Sequence, residues 1–301
     1  MARAPVRADI EPEAIDDLIT VRDWVRYGTS RFSINGLVYG HGTVSSLDEA
    51  SFLVLSALDL PIDHLDPWLD ARLTRSERMG VADLLQRRIT SRKPAAYLTR
   101  TAWIRGRSFY VDERVIVPRS YIGELIDEGL GGVVANAQAV RSVLDLCTGS
   151  GCLAILAAEA FPGAEIDAVD ISPDALAVAA RNVADYGLDD RINLIRGDLF
   201  ASLGDKRYDL IISNPPYVTT ASMQAFPPEY RAEPPLAHAG GIDGMEIVRR
   251  ILNEAPAHLA PRGALIVEIG MGREIIETEN PELPFLWLDT AESQGEVLAL
   301  T

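Results

Sequence analysis

The stretch Val143-Leu144-Asp145-Leu146-Cys147-Thr148-Gly149-Ser150-Gly151-Cys152-Leu153-Ala154-Ile155-Leu156 decides the fold. Val143–Cys147 is a short apolar run of the kind that forms a buried strand. A glycine-rich loop follows it, and Leu153–Ala160 reads as helix. Outward from this unit, apolar runs recur at Glu165–Asp170, Ile192–Arg196, Leu210–Ser213 and Ala264–Ile269. Helical stretches separate them at Pro173–Tyr186 and from about Met245 to Leu259. Ser172 is an N-cap and Pro173 stands at the first helical position. Strand and helix in alternation predict an α/β fold, a parallel sheet with helices on both faces. Phe285–Leu288 and Glu296–Leu300, joined by a Gly-containing loop, predict an antiparallel pair that closes the sheet.

Upstream, residues 1–100 carry helical patterning with almost no strand signal, as in Ala50, Leu53, Val54, Ala57 and Leu58. Ser46 with Glu49 and Thr74 with Glu77 have the spacing of capping boxes. Ala102–Val117 alternates instead and predicts a β-hairpin, with Arg105-Gly106-Arg107 and Asp112-Glu113-Arg114 as the candidate turns. The expected organisation is a helical domain at 1–100, a hairpin linker at 101–120 and the α/β domain at 121–301.

A chain of 301 residues exceeds what one core usually serves, so two domains are the natural expectation. No run reaches the roughly 18 apolar residues of a membrane span. The start, from Met1 to Ile10, has arginines but no apolar core behind them, so the reading is cytoplasmic. A formal charge of −16 repels phosphate backbones and favours a basic partner. The two cysteines, Cys147 and Cys152, and the scattered His41, His64, His238 and His258 show no metal-ligand spacing, so no metal is expected.

Asp145–Gly151 places glycines where a ligand can approach backbone at a helix N-terminus. Asp170 follows about where a ribose-binding acid belongs. These features alone suit either a nicotinamide dinucleotide or S-adenosylmethionine. Asp145 would repel a diphosphate but can meet a cationic ligand, and Asp198 is placed to accept from an adenine amino group. Nothing in the chain resembles a hydride-transfer site. Finally, Asn214-Pro215-Pro216-Tyr217 directly follows the run Tyr208–Ser213, and a double proline cannot extend a strand. The turn offers a carboxamide and a carbonyl as a cradle for an NH₂ group, which N-methylation of an amide or a base amine requires.

In this order and spacing, Asp145–Gly151, Asp170, Gly197-Asp198 and Asn214–Tyr217 resemble the class I S-adenosylmethionine-dependent methyltransferases that modify the side-chain amide of glutamine. Val117-Pro118-Arg119 and Gly240-Gly241-Ile242-Asp243-Gly244 extend the match. Tyr39-Gly40-His41-Gly42-Thr43, Val111–Arg114, Pro118-Arg119-Ser120 with Ile122–Ile126, and Cys147–Cys152 resemble the branch acting on the third large-subunit ribosomal protein. The branch acting on release factors typically has Gly where Cys147 stands. Tyr121 departs from the pattern, which usually has proline there.

The resemblance implies a Rossmann-like seven-stranded sheet of order 3-2-1-4-5-7-6, with the seventh strand antiparallel. It implies that Cys147, Thr148, Gly149, Ser150 and Gly151, with Asp170, Asp198 and Leu199, hold S-adenosylmethionine, and that Asn214, Pro215, Pro216 and Tyr217 hold the glutamine amide. Asn214 and the Pro215 carbonyl would each accept one N–H, Tyr217 would wall the amide plane, and the helical domain would help select the protein. The implied partner is a basic ribosomal protein, free or in early assembly. Rival readings are a release-factor glutamine methyltransferase and a nucleic-acid adenine N6-methyltransferase, and the charge weighs against the latter.

Overall fold

The computed structural model describes residues 9–291 and 293–301. Most of the stretch from Met1 to Ile10, whose arginines entered the reading of the N-terminus, lies outside the described residues. The chain forms two compact units. One runs to Ala102 and takes in Pro227–Ala232; the other comprises Trp103–Phe226 and Glu233–Thr301.

The first unit packs α1 (Pro12–Asp17), α2 (Val21–Ile34), α3 (Ser46–Ala57), α4 (Arg75–Ser91) and α5 (Ala95–Thr99) around Trp24, Phe32, Leu53 and Leu85. Thr74 and Glu77 form the expected capping box at α4. At α3 the expectation fails by one residue. Ser45 is the N-cap, bonded to the Asp48 amide, and Glu49 turns inward to become 1 % exposed. The reason is a buried cation. Arg88 is fully buried and donates to Glu49 Oε1 at 2.7 Å and to the Val38 carbonyl at 3.0 Å. Glu229, from the returning segment, lies 3.6 Å from Arg88 and 2.7 Å from Arg92. Burial raises the Glu49 carboxyl pKa, while Arg88 and Thr43 oppose that shift.

Where the first unit passes into the second, β1 (Thr101–Ile104) and β2 (Arg107–Tyr110) form the hairpin. It is shorter than expected, because pairing stops at Tyr110. Beyond it Asp112 folds back to accept from Arg114 Nε at 2.8 Å and Nη2 at 2.6 Å.

The second unit carries α6 (Tyr121–Asp127), β3 (Ser142–Leu146), α7 (Cys152–Ala160), β4 (Glu165–Asp170), α8 (Pro173–Asp185), β5 (Ile192–Arg196) and β6 (Tyr208–Ser213). It continues through α9 (Thr220–Gln224), α10 (Glu246–His258), β7 (Leu259–Glu268), α11 (Arg273–Glu279), β8 (Leu286–Leu288) and β9 (Val297–Leu300). Sheet order is β5-β4-β3-β6-β7-β9-β8, which is 3-2-1-4-5-7-6 when counted within the sheet. β9 alone runs antiparallel to its neighbours. Successive strand residues face opposite sides. Val143, Leu210 and Ile212 join one core with α6 and α7, while Leu144, Ile211 and Leu265 join another with α10. The sheet therefore has a core on each face, as the near-continuous apolar runs imply. Chain order reverses between β3 and β6, whose carboxyl ends lie side by side with Leu146 opposite Ser213. That switch point is where open α/β sheets bind ligands.

Candidate active site

The loop after β3 is stitched to the end of β4. Thr148 N donates to the Val169 carbonyl at 3.0 Å, and Gly149 N donates to Asp170 Oδ2 at 2.9 Å. Asp170 Oδ1 accepts from Ser172 N at 2.8 Å, so both carboxylate oxygens are oriented before any ligand arrives. Burial raises the Asp170 pKa, and these amides oppose the shift. Cys147 and Leu199 both take left-handed backbone, at φ 59° and φ 50°. Such strain in non-glycine residues costs of order 1–3 kcal/mol and gathers at functional sites.

Both strained residues line a cavity of ≈ 240 Å³ in the second unit. Gly149, Asp170, Asp198, Asn214 and Pro216 line it too, so the acids and the Asn-Pro turn converge on one site. The wall is more apolar than polar, with Val169, Ile171 and Ile247 among its side chains. Among the described residues the Asn214 carboxamide has no hydrogen-bond partner, so its oxygen is available to a ligand. Ser213, just before it, is anchored by donating to the Leu146 carbonyl at 2.9 Å.

Several expected residues lie elsewhere. Asp145 is fully buried beneath the loop and does not line the cavity. Its Oδ2 accepts from Thr148 Oγ1 at 2.5 Å and Ala154 N at 3.1 Å, so it fixes the strand-to-helix turn. Burial pushes its carboxyl up to about 7, and Oδ1 has no hydrogen-bond partner among the described residues. Thr148, Ser150 and Gly151 also sit behind the wall; Asn182 Nδ2 holds the Ser150 carbonyl at 2.8 Å. Pro215 and Tyr217 are not on the cavity wall. The Tyr217 hydroxyl instead donates to Glu268 at 2.9 Å. Asp198 does line the cavity, but one oxygen pairs with Arg250 at 3.0 Å.

Arg250, Arg114 and Leu236 line the cavity although none was read from the sequence as a site residue. Arg250 is one cation on an amphipathic helix, which carries no local signal. For Arg114 the signal was present: it falls within Val111–Arg114, a segment already notable for its family likeness.

A seven-stranded sheet of this order, with an acid ending its second strand and Asn-Pro-Pro-Tyr following its fourth, defines a class I methyltransferase. Residues 125–226 match the methyltransferase small domain, and the hMettl16 catalytic domain superimposes with a TM-score of 0.51. That superposition covers 73 % of this chain and 82 % of the other at 16 % identity, a likeness of fold. The ribosomal protein uL3 glutamine methyltransferase of Bradyrhizobium diazoefficiens is 58 % identical over 93 % of this chain and 90 % of its own. Its namesake in Bordetella pertussis is 57 % identical over 95 % and 96 %. The chain belongs to the ribosomal protein uL3 glutamine methyltransferase family.

Proposed function

We propose that the protein transfers a methyl group from S-adenosylmethionine to the side-chain amide nitrogen (N5) of a glutamine in large-subunit ribosomal protein uL3. The observation that carries this reading is the Asn214 carboxamide, without a hydrogen-bond partner among the described residues and on the same cavity wall as Asp170 and Asp198. The donor set fits the cofactor. Asp170 retains lone pairs for two ribose hydroxyls, and Val169, Ile171 and Leu199 offer apolar surface to a purine. Asp198 keeps an oxygen beyond the one that meets Arg250. When bound, S-adenosylmethionine supplies an electrophilic methyl on sulfur.

An amide nitrogen is a poor nucleophile because its lone pair is delocalised into the carbonyl. The Asn214 oxygen and the Pro215 carbonyl each accept one N–H of the target and stabilise positive charge developing on nitrogen. Neither Pro215 nor Pro216 has an amide N–H to compete for those acceptors. Tyr217, which lies off the cavity wall, supports the turn that carries both acceptors. As the nitrogen–carbon bond forms and the carbon–sulfur bond breaks, nitrogen loses its proton to solvent. Orientation supplies much of the acceleration. The helical unit contributes to choosing the protein, and the ribosomal substrate puts the reaction in the cytoplasm.

Incubation with methyl-tritiated cofactor tests the reading. Label is expected on free uL3, at one glutamine by mass spectrometry, and far less on mature subunits, whose protein loops pack against RNA. Capture of a basic protein by a chain of charge −16 should slow as salt rises. Label on DNA or RNA, on a release factor in preference to uL3, or on no substrate at all would overturn it.

Asp170→Ala should weaken S-adenosylhomocysteine binding at least about tenfold, since each lost charge-assisted hydrogen bond costs roughly 1.5–3 kcal/mol. Calorimetry reads this directly. Unchanged affinity would place the ribose elsewhere.

A further inference from the structure

Glu268, the last residue of β7, is fully buried and does not line the cavity. Its carboxylate gathers three donors from two distant segments. Ser120 Oγ at 2.7 Å and Tyr121 N at 3.0 Å meet Oε2, and the Tyr217 hydroxyl at 2.9 Å meets Oε1. Among the described residues, this last bond is the one side-chain hydrogen bond made by Asn214–Tyr217. Two residues further on, Gly270 lies against the Tyr217 ring at φ 52°. A Cβ there would stand 2.8 Å from Cε2 and 2.9 Å from Cδ2. The Tyr217 main chain is confined as well. A Cβ on Gly240 would stand 2.7 Å from the Tyr217 Cα, and one on Gly244 would strike the Tyr217 carbonyl oxygen. The turn that presents Asn214 thus ends in a tyrosine seated on two glycine loops and tied down by one buried acid.

We propose that Glu268 is a positioning residue for methyl transfer: by holding the Tyr217 phenol on its Gly270 seat, it fixes the Asn214–Pro216 turn against the acceptor amide. This rests on the reading that Asn214 and Pro215 hold that amide. A pair of prolines stiffens the turn internally but cannot fix its tilt on the sheet. The Tyr217–Glu268 bond supplies that remaining constraint.

The charge state of Glu268 matters to this role. Burial pushes its carboxyl up to about 7, and the nearby Glu296 adds to the shift. The other groups facing this cluster are Ser120 and Tyr121, and Arg119, which pairs with Glu233 at 2.7 Å. His238 meets Glu233 at 3.0 Å. Above pH 7 the carboxylate accepts from Tyr217 as a charged partner. Below it, a proton on the acid weakens that bond, so turnover at saturating substrates should rise with pH through about 7. Asp145 also titrates near there, but beneath the cofactor loop. Because Asp145 supports the cofactor loop and not the Asn214 turn, its titration is expected to act on cofactor affinity, which saturating cofactor removes.

Glu268→Gln in the full chain is the test. The expected result is a kcat about ten- to a hundredfold lower, as for a slightly misplaced reacting group, with unchanged affinity for S-adenosylhomocysteine. The rise of kcat near pH 7 should flatten. Tyr217→Phe should produce a similar loss, and combining the two should cost little more, because they break one contact. Additive losses, or a variant with wild-type kcat and pH profile, would overturn the proposal. Should Glu268→Gln not fold, Tyr217→Phe alone decides: it must lose the pH-dependent rise, and keeping it is a refutation. Failure of the substrate reading looks different, since the wild-type enzyme would then not label a glutamine.

Discussion

Asn214→Ala is expected to abolish measurable transfer while S-adenosylhomocysteine binds nearly as well as to the wild type. The carboxamide stands at the end of β6 with no partner among the described residues, so its removal leaves the cavity wall otherwise intact. Loss of one preorganised group that stabilises developing charge costs about 2.7–4 kcal/mol of barrier, roughly a hundredfold or more in kcat. The cofactor contacts assigned to Asp170 and Asp198 come from the ends of β4 and β5 and are untouched. Turnover and calorimetry on the same preparation separate the two effects. Wild-type turnover would remove Asn214 from the chemistry, and a matching collapse of cofactor affinity would make it a binding residue instead.

Arg88→Met should destabilise the helical unit by about 3–5 kcal/mol, because it strands buried carboxylates without their cation. Glu49 is 1 % exposed and Glu229 is fully buried, so neither can turn to water. Arg92 remains 2.7 Å from Glu229, but Glu49 would lose the guanidinium it pairs with and keep the neutral Thr43 hydroxyl at 2.9 Å. Urea unfolding followed by helical circular dichroism measures the loss. A second change, Glu49→Met with Arg88→Met, should recover part of it, since a buried ion pair replaced by well-packed apolar side chains can be neutral or better. A single variant with a stability loss under about 1 kcal/mol would mean the network is dispensable.

The parts of this protein legible in its sequence share one property: their signals are local. Apolar runs located the strands of the main sheet to within a few residues of their observed ends, except that β7 begins at Leu259 rather than Ala264. Glycine and proline chemistry located the turns at Gly149–Gly151 and Pro215-Pro216, and the Thr74–Glu77 spacing located the capping box. The order of the strands came from resemblance, because periodicity alone says that a strand is buried and not which neighbour it has. Asn214 and Asp170 were likewise readable, since Asn214 follows directly on β6 at the switch point and Asp170 is the last residue of β4.

What the sequence by itself determined, then, is the α/β architecture, the helical leading segment and the identity of the Asn-Pro-Pro-Tyr turn. Only the tertiary structure decided where side chains point once buried charge has to be matched. It put Asp145 under the loop, turned Glu49 from a cap into the partner of Arg88, and brought Pro227–Ala232 back to the helical unit with Glu229. It also joined Glu268 to Ser120, 148 residues away, and to Tyr217, 51 residues away. A strand or a turn is set by neighbours within a few positions, whereas a buried carboxylate must find its donors wherever the fold delivers them. The cost of leaving it unpaired makes that choice, and no local pattern records it.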